Sequence, residues 1–324
     1  ALEALIGEGE GERAGKMRQP GQVRPIADAA ERYIAFLARS LPSEGLALDG
    51  LKVVLDCSNG ATATFAGPLF ARLGLQSQVL FDRPDGRNIN RDCGSEHPGE
   101  LRRRVLAEGA HLGLAFDGDG DRLIAVDETG RILTGDQALA LSAVHLQACG
   151  KLRPQRVVAT VMSNLGLREA LAGRGIELVT CDVGDRFVAE AMRAHDARLG
   201  GEDSGHMIFA DHHTTGDGLL SGLKLLEAMA ASGQPLSALA RVMTVYPQRL
   251  VNVPVSAKPP LESLDPVNAA IAEVESRLGR RGRVLVRYSG TQSICRVMVE
   301  GPGAEETEAA CEAIAAAVRQ TIGA

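Results

Sequence analysis

Lys52-Val53-Val54-Leu55-Asp56-Cys57-Ser58-Asn59-Gly60 is a short aliphatic run that ends in a Ser-Asn-Gly turn, with a helical stretch following to Leu73-Gly74. The pattern returns further along the chain. Val157, Val158 and Val161 form an aliphatic strand, Ser163-Asn164 stands 105 residues after Ser58-Asn59, and a helix through Leu171 is closed by Gly173. Strand, turn and helix repeated in this way predict two related α/β units. Aliphatic strands paired with helices belong to sheets buried on both faces, whose ligand loops lie at the carboxyl ends of the strands. The fold class predicted is therefore α/β: two tandem related α/β domains with mixed sheets, plus a smaller C-terminal α+β domain.

Working outward from the two copies, residues 1–24 are rich in glycine and charge and read as a linker or a remnant of a preceding domain. Ile26, Ala30, Ile34 and Leu37 recur at helical spacing up to Leu41, and Pro42 stops the helix. Leu112–Phe116 reads as a buried strand, and Leu123–Val126 with Arg131–Leu133 as a hairpin about Glu128-Thr129-Gly130. Prolines 254, 259, 260 and 266 introduce the last unit: a helix near Glu262–Leu278, strands Arg283–Arg287 and Cys295–Val299, and a helix over Glu305–Gln320. The expected domains are 25–146, 147–250 and 251–324.

Composition narrows the function. With 324 residues, 45% hydrophobic and 23% charged, the chain is long enough for two or three packed units and has no disordered signature. A formal charge of −6, no Lys/Arg-dense block and only 3% aromatics argue against nucleic acid as a partner. The longest uncharged apolar stretch, Gln137–Gly150, is too short to span a bilayer, which argues against a membrane. Six scattered cysteines without a CxxC pair suit free thiols in a reducing compartment, so the expected location is cytoplasmic.

Three loops carry chemistry. In Phe116-Asp117-Gly118-Asp119-Gly120-Asp121-Arg122, three carboxylates alternate with glycines at the end of a predicted strand. Brought to one point they repel one another, a conflict that a hard divalent cation resolves. An EF-hand reading fails because Arg122 stands where that loop needs glycine and a strand follows. In Gly200-Gly201-Glu202-Asp203-Ser204-Gly205-His206, the alternation of Glu202, Ser204 and His206 would set the three on one face of an extended segment, suited to a polyol. In Arg287-Tyr288-Ser289-Gly290-Thr291, with Arg296 beyond, a guanidinium, hydroxyls and freed backbone N–H groups make an anion cradle for phosphate. Metal, hydroxyl-binding face and phosphate cradle together describe a cleft for a phosphorylated sugar.

The order DGDGDR, GEDSGH, RYSGT, with Thr214-Thr215-Gly216-Asp217-Gly218 between the last two, resembles the α-D-phosphohexomutase superfamily from about Pro25 to Gly301. Within it the chain is most similar to the branch that interconverts glucosamine 6-phosphate and glucosamine 1-phosphate for UDP-N-acetylglucosamine synthesis. The resemblance implies a four-domain isomerase that works through a phosphoserine and a glucosamine 1,6-bisphosphate intermediate. It implies Mg2+ on Asp117, Asp119 and Asp121, Arg122 beside the transferring phosphate, and His206 as a proton-transfer residue. Glu202, Ser204, Asp185 and Arg186 would bind the sugar, and Arg287, Ser289, Gly290, Thr291 and Arg296 the phosphate that stays in place. The family's serine motif does not occur in this sequence, and Thr291-Gln292-Ser293 replaces the usual Thr-Glu-Pro. The expectation is a chain that holds the last three domains, as a monomer or homodimer, and is inactive alone. A phosphomannomutase/phosphoglucomutase and a noncatalytic sugar-phosphate-binding protein are the competing readings.

Overall fold

The computed structural model describes residues 22–42, 46–290 and 292–324. Most of the expected linker, residues 1–21, and the cradle residue Thr291 lie outside them. Helix α1 (Ala29–Arg39) buries Ile34 and Leu37. It starts later than its apolar spacing suggests: Ile26 is 64% exposed, so no burial draws it into the first turn.

The first unit runs β1 (Lys52–Asp56), α2 (Ala66–Arg72), β2 (Gln76–Leu80), α3 (Gly99–Glu108), β3 (Leu112–Phe116), β4 (Leu123–Asp127). Its sheet has the order β2-β1-β3-β4, with β1 parallel to β2 and β3, and β4 antiparallel to β3. The expected hairpin is thus rearranged. Leu123–Asp127 pairs in full with β3, while Arg131–Leu133 returns only as a bridge from Ile132 to Val126. Asp127 holds that turn tightly, accepting from the N–H groups of Thr129 and Arg131 and from the Thr129 hydroxyl.

Helix α4 (Gly135–Ala148) begins at Thr134, whose hydroxyl and backbone N–H exchange hydrogen bonds with Gln137 in a capping box. It leads to the second unit: β5 (Arg156–Thr160), α5 (Leu165–Ala172), β6 (Glu177–Cys181), α6 (Asp185–Ala194), β7 (Leu199–Gly201), β8 (Met207–Phe209). Here the order is β6-β5-β7-β8, again with two parallel pairs and a final antiparallel strand, so the repeat read from the sequence is a repeat of topology. The helix after Asn164 closes on Gly173 as expected, with that glycine still in a right-handed conformation. Gly175, at φ +68°, makes the turn that lets the Ile176 N–H reach the Leu171 carbonyl.

Helices α7 (Gly218–Ser232) and α8 (Leu236–Leu239) complete this part. One continuous hydrophobic core runs through both units, from Leu37, Val53, Leu55 and Phe70 to Leu139, Val157, Leu199, Leu223 and Leu226. The third unit has β9 (Gln248–Pro254), α9 (Asp265–Leu278), β10 (Arg283–Tyr288), β11 (Ile294–Glu300) and α10 (Ala304–Ile322), an antiparallel sheet in the order β10-β11-β9. Its core, including Val253, Val267, Val297, Ile314 and Val318, is separate from the first. All six cysteines are free, and among the described residues no helix is long and apolar enough to cross a membrane.

Candidate active site

The Asp117–Arg122 segment is the tip between β3 and β4. Gly120 at φ +79° turns it back so that its N–H reaches the Asp117 carbonyl at 3.2 Å. The loop is clamped from two sides: Ala61 N–H donates to the Gly118 carbonyl at 2.8 Å, and Gly218 N–H, at the start of α7, donates to the Gly120 carbonyl at 2.8 Å. The result is convergence. One carboxylate oxygen from each of Asp117, Asp119 and Asp121 lies within 4.8 Å of the others.

Each carboxylate stands in a different environment. Asp117 is buried and accepts from the Arg122 N–H at 3.1 Å; burial, together with Asp121 beside it, pushes its carboxyl well above the ordinary range. Asp121 is held low, chiefly by the hydrogen bond from His206, yet its Oδ1 is buried without a hydrogen-bond partner among the described residues. Asp119 is exposed. The Arg122 guanidinium stands 3.6 Å from Asp117, 3.8 Å from Asp121 and 3.8 Å from Glu96, near all three and bidentate to none. An orphaned buried oxygen in a group of mutually repelling carboxylates fits a hard divalent cation.

His206, 2% exposed, comes from the second unit. Its Nδ1 lies 2.8 Å from Asp121 Oδ2, and its Nε2 accepts from the Gly216 N–H at 3.1 Å. That backbone donor assigns the neutral ring's proton to Nδ1, so Nδ1–H is donated to Asp121. Burial lowers the His206 pKa, but the hydrogen bond and charge of Asp121 outweigh it and the net direction is upward.

The segment carrying Glu202, Ser204 and His206 is a turn between β7 and β8, not the extended face expected from the alternation. Gly205 at φ +91° folds it, the Glu202 N–H donates to the His206 carbonyl, and a Cβ at Gly205 would sit 2.1 Å from the Leu123 carbonyl oxygen. The same close approach lets Leu123 N–H donate to the Gly205 carbonyl at 3.1 Å, docking the turn against the hairpin that carries the acidic loop. Ser204 is exposed at its tip. Glu202 accepts from the Gly184 N–H at 3.0 Å, which brings the Asp185-Arg186 segment at the start of α6 to the same turn. Arg186 itself pairs with Glu190 at 2.9 Å along its own helix.

On the third sheet Arg287 and Arg296 face one another across β10 and β11. Among the described residues neither has an acidic partner, and the Nε of each is buried without a hydrogen bond. Ser289 is buried, its Oγ accepting from Gln292 N–H at 3.3 Å, while a Cβ at Gly290 would meet nothing within 4 Å. Two neighbours escaped the sequence reading. Lys258 donates to the Ser289 carbonyl at 2.6 Å, and Asn252 stands opposite Arg296 on β9, extending the polar row by one strand. Neither carries a local signal: Lys258 lies in a proline-rich connection, and β9 is an edge strand too exposed to alternate cleanly.

Comparisons with known proteins agree with this architecture. Residues 31–130, 134–246 and 250–317 match, in turn, phosphoglucomutase/phosphomannomutase alpha/beta/alpha domain II, alpha/beta/alpha domain III and C-terminal domain. The chain is 51% identical over 308 residues to the phosphoglucosamine mutase of Syntrophus aciditrophicus, covering 95% of this chain and 68% of that protein. It is 50% identical over 323 residues to the one of Syntrophobacter fumaroxidans, covering 99% and 72%. Among solved structures, a phosphoglucomutase/phosphomannomutase family protein from Burkholderia thailandensis superposes with a TM-score of 0.73 at 23% identity, over 90% of this chain and 64% of that one. Aspergillus fumigatus N-acetylphosphoglucosamine mutase, solved in complex with GlcNAc-6P and magnesium, gives 0.72 at 22% identity, over 90% and 65%. With three successive domains matched in order over nearly the whole chain, this protein belongs to the phosphoglucomutase/phosphomannomutase family.

Proposed function

We propose that this chain carries the metal, sugar and phosphate sites of a phosphoglucosamine mutase, an isomerase that interconverts glucosamine 6-phosphate and glucosamine 1-phosphate through glucosamine 1,6-bisphosphate. About half of its residues are identical to those of enzymes bearing that name. The observation that carries the chemistry is the converged Asp117, Asp119 and Asp121 with one buried oxygen left without a hydrogen bond among the described residues. In this reading the domains divide as 25–146, 147–250 and 251–324.

Phosphoryl transfer needs donor and acceptor oxygens in line and negative charge compensated, with little covalent work for the protein. Mg2+ bound by Asp117, Asp119 and Asp121 would supply charge at the transferring group. Arg122, not locked into a bidentate pair, is free to turn its fork to phosphoryl oxygens as they approach. Both His206 nitrogens are engaged within the protein, which supports a positioning role on Asp121 in place of the proton transfer expected from sequence. Glu202 and Ser204, with Asp185 and Arg186 drawn to the same turn, would contact sugar hydroxyls or the 2-amino group. Arg287, Ser289, Gly290, Thr291 and Arg296 would hold the phosphate that stays in place.

Titration calorimetry in Mg2+ with glucosamine 6-phosphate, glucose 6-phosphate and mannose 6-phosphate tests the reading. Tightest binding of glucosamine 6-phosphate is expected. A preference for either hydroxyl sugar would transfer the protein to the phosphomannomutase/phosphoglucomutase activity, and no binding of any of the three would remove the sugar-phosphate site.

A further inference from the structure

The two ends of the proposed ligand site lie on different units: the cradle on the third sheet, whose core is its own, and the sugar turn on the second. A ligand that reaches both gains from simultaneous contact only if their spacing is held. Two side chains away from either subsite hold it. Arg283, on the same face of β10 as Arg287, donates from its two terminal nitrogens to the Val161 carbonyl at 3.1 Å and the Ser163 carbonyl at 2.8 Å, in the loop that follows β5. Its Nε donates to Glu300 Oε2 at 2.8 Å, and the same oxygen accepts the Leu165 N–H, at the start of α5, at 3.2 Å. Glu300 is fully buried.

Between Ser163 and Leu165 stands Asn164, and from it the contacts continue toward the sugar turn. Its N–H donates to Asp136 Oδ2 at 2.6 Å, the Asp136 N–H donates to Asp203 Oδ1 at 3.4 Å, and the Gly135 N–H donates to the Asp203 carbonyl at 3.1 Å. Asp203 sits between Glu202 and Ser204. From these contacts we infer that Arg283 and Glu300 are positioning residues, a buried pair that fixes the phosphate cradle at the distance from the sugar turn that one sugar phosphate spans. Arginine is required because its planar fork reaches two carbonyls while the remaining N–H pairs with Glu300, a geometry lysine cannot reproduce.

The inference rests on the proposed sugar-phosphate site, and the test separates the two. Binding of glucosamine 6-phosphate, inorganic phosphate and glucosamine is measured by calorimetry on the unsubstituted chain, Arg283→Lys and Glu300→Gln, with melting followed by circular dichroism. The expected result is glucosamine 6-phosphate binding weakened by about tenfold or more in the variants, with inorganic phosphate and glucosamine affinities unchanged, because only the bridging ligand senses the spacing. Adding Arg287→Ala should then cost less affinity in the Arg283→Lys background than alone. Unchanged glucosamine 6-phosphate binding in Arg283→Lys overturns the inference, as does a parallel fall for inorganic phosphate or loss of the folded state in that variant, since the pair would then only stabilise the sheet. If the unsubstituted chain binds glucosamine 6-phosphate no tighter than inorganic phosphate, the proposed function falls and takes this inference with it.

Discussion

Arg287 has a buried Nε without a hydrogen bond and no acidic neighbour among the described residues, a costly arrangement unless an anion completes it. Arg287→Ala should weaken glucosamine 6-phosphate binding by roughly 10- to 150-fold and leave glucosamine binding unchanged, with Arg287→Lys between, as calorimetry would read. Asp119 is the exposed member of the carboxylate group, so it can be removed with little effect on folding. Asp119→Ala should abolish or sharply weaken Mg2+ binding while melting at the temperature of the unsubstituted chain; equal Mg2+ heats in both would remove the metal assignment. At Gly205 the demand is steric and conformational at once. Gly205→Ala should cost about 1–3 kcal/mol or more in denaturant unfolding, since both φ and the approach to Leu123 forbid a side chain.

Helix α7 shows how one element ties the site to the rest of the fold. Its cap, Asp217, accepts the Leu220 N–H at 2.9 Å with one oxygen and the Tyr33 hydroxyl of α1 at 2.8 Å with the other. Asp217→Ala should therefore cost about 1–2 kcal/mol in urea unfolding, and Tyr33→Phe should cost nothing further in that background. Further along, Glu227 is buried against Lys224 at 2.8 Å, His145 at 3.3 Å and Lys151 at 3.5 Å. Burial alone would raise its pKa, but the hydrogen bonds from His145 and Lys224 and the charges of Lys224 and Lys151 outweigh burial and bring it from 4.5 down to about 2. A depressed folded pKa means the stabilisation is present above about pH 4.5 and is lost as pH falls toward 2. Glu227→Gln should lower stability at pH 7 and flatten the acid limb across that window, as denaturation curves at several pH values would show.

Across the whole molecule, the first two units share one core and the third has its own. Leu139→Ala should thus lower hydrogen-exchange protection throughout the first two sheets, by about 2–5 kcal/mol, and Val297→Ala chiefly within the third. The paired strand-turn-helix segments, the converged acidic loop and the facing Arg287 and Arg296 were legible in the sequence because each depends on a few neighbouring residues: aliphatic runs make buried strands, glycines between aspartates permit a tight acidic loop, and arginines on paired strands come to one face. Other features depend on partners far along the chain. Strand β9 forms because β11 supplies its hydrogen bonds, Leu123–Asp127 pairs with β3 ahead of its nearer neighbour, and the apparent alternation of Glu202, Ser204 and His206 is broken where Leu123 forces Gly205 into a left-handed turn. His206 offers the clearest contrast. Its imidazole chemistry is written in the sequence, but only the packing of the second unit onto the first decided that both nitrogens would be spent on Asp121 and Gly216, because hydrogen-bond partners distant in sequence are brought within reach only once both sheets are in place.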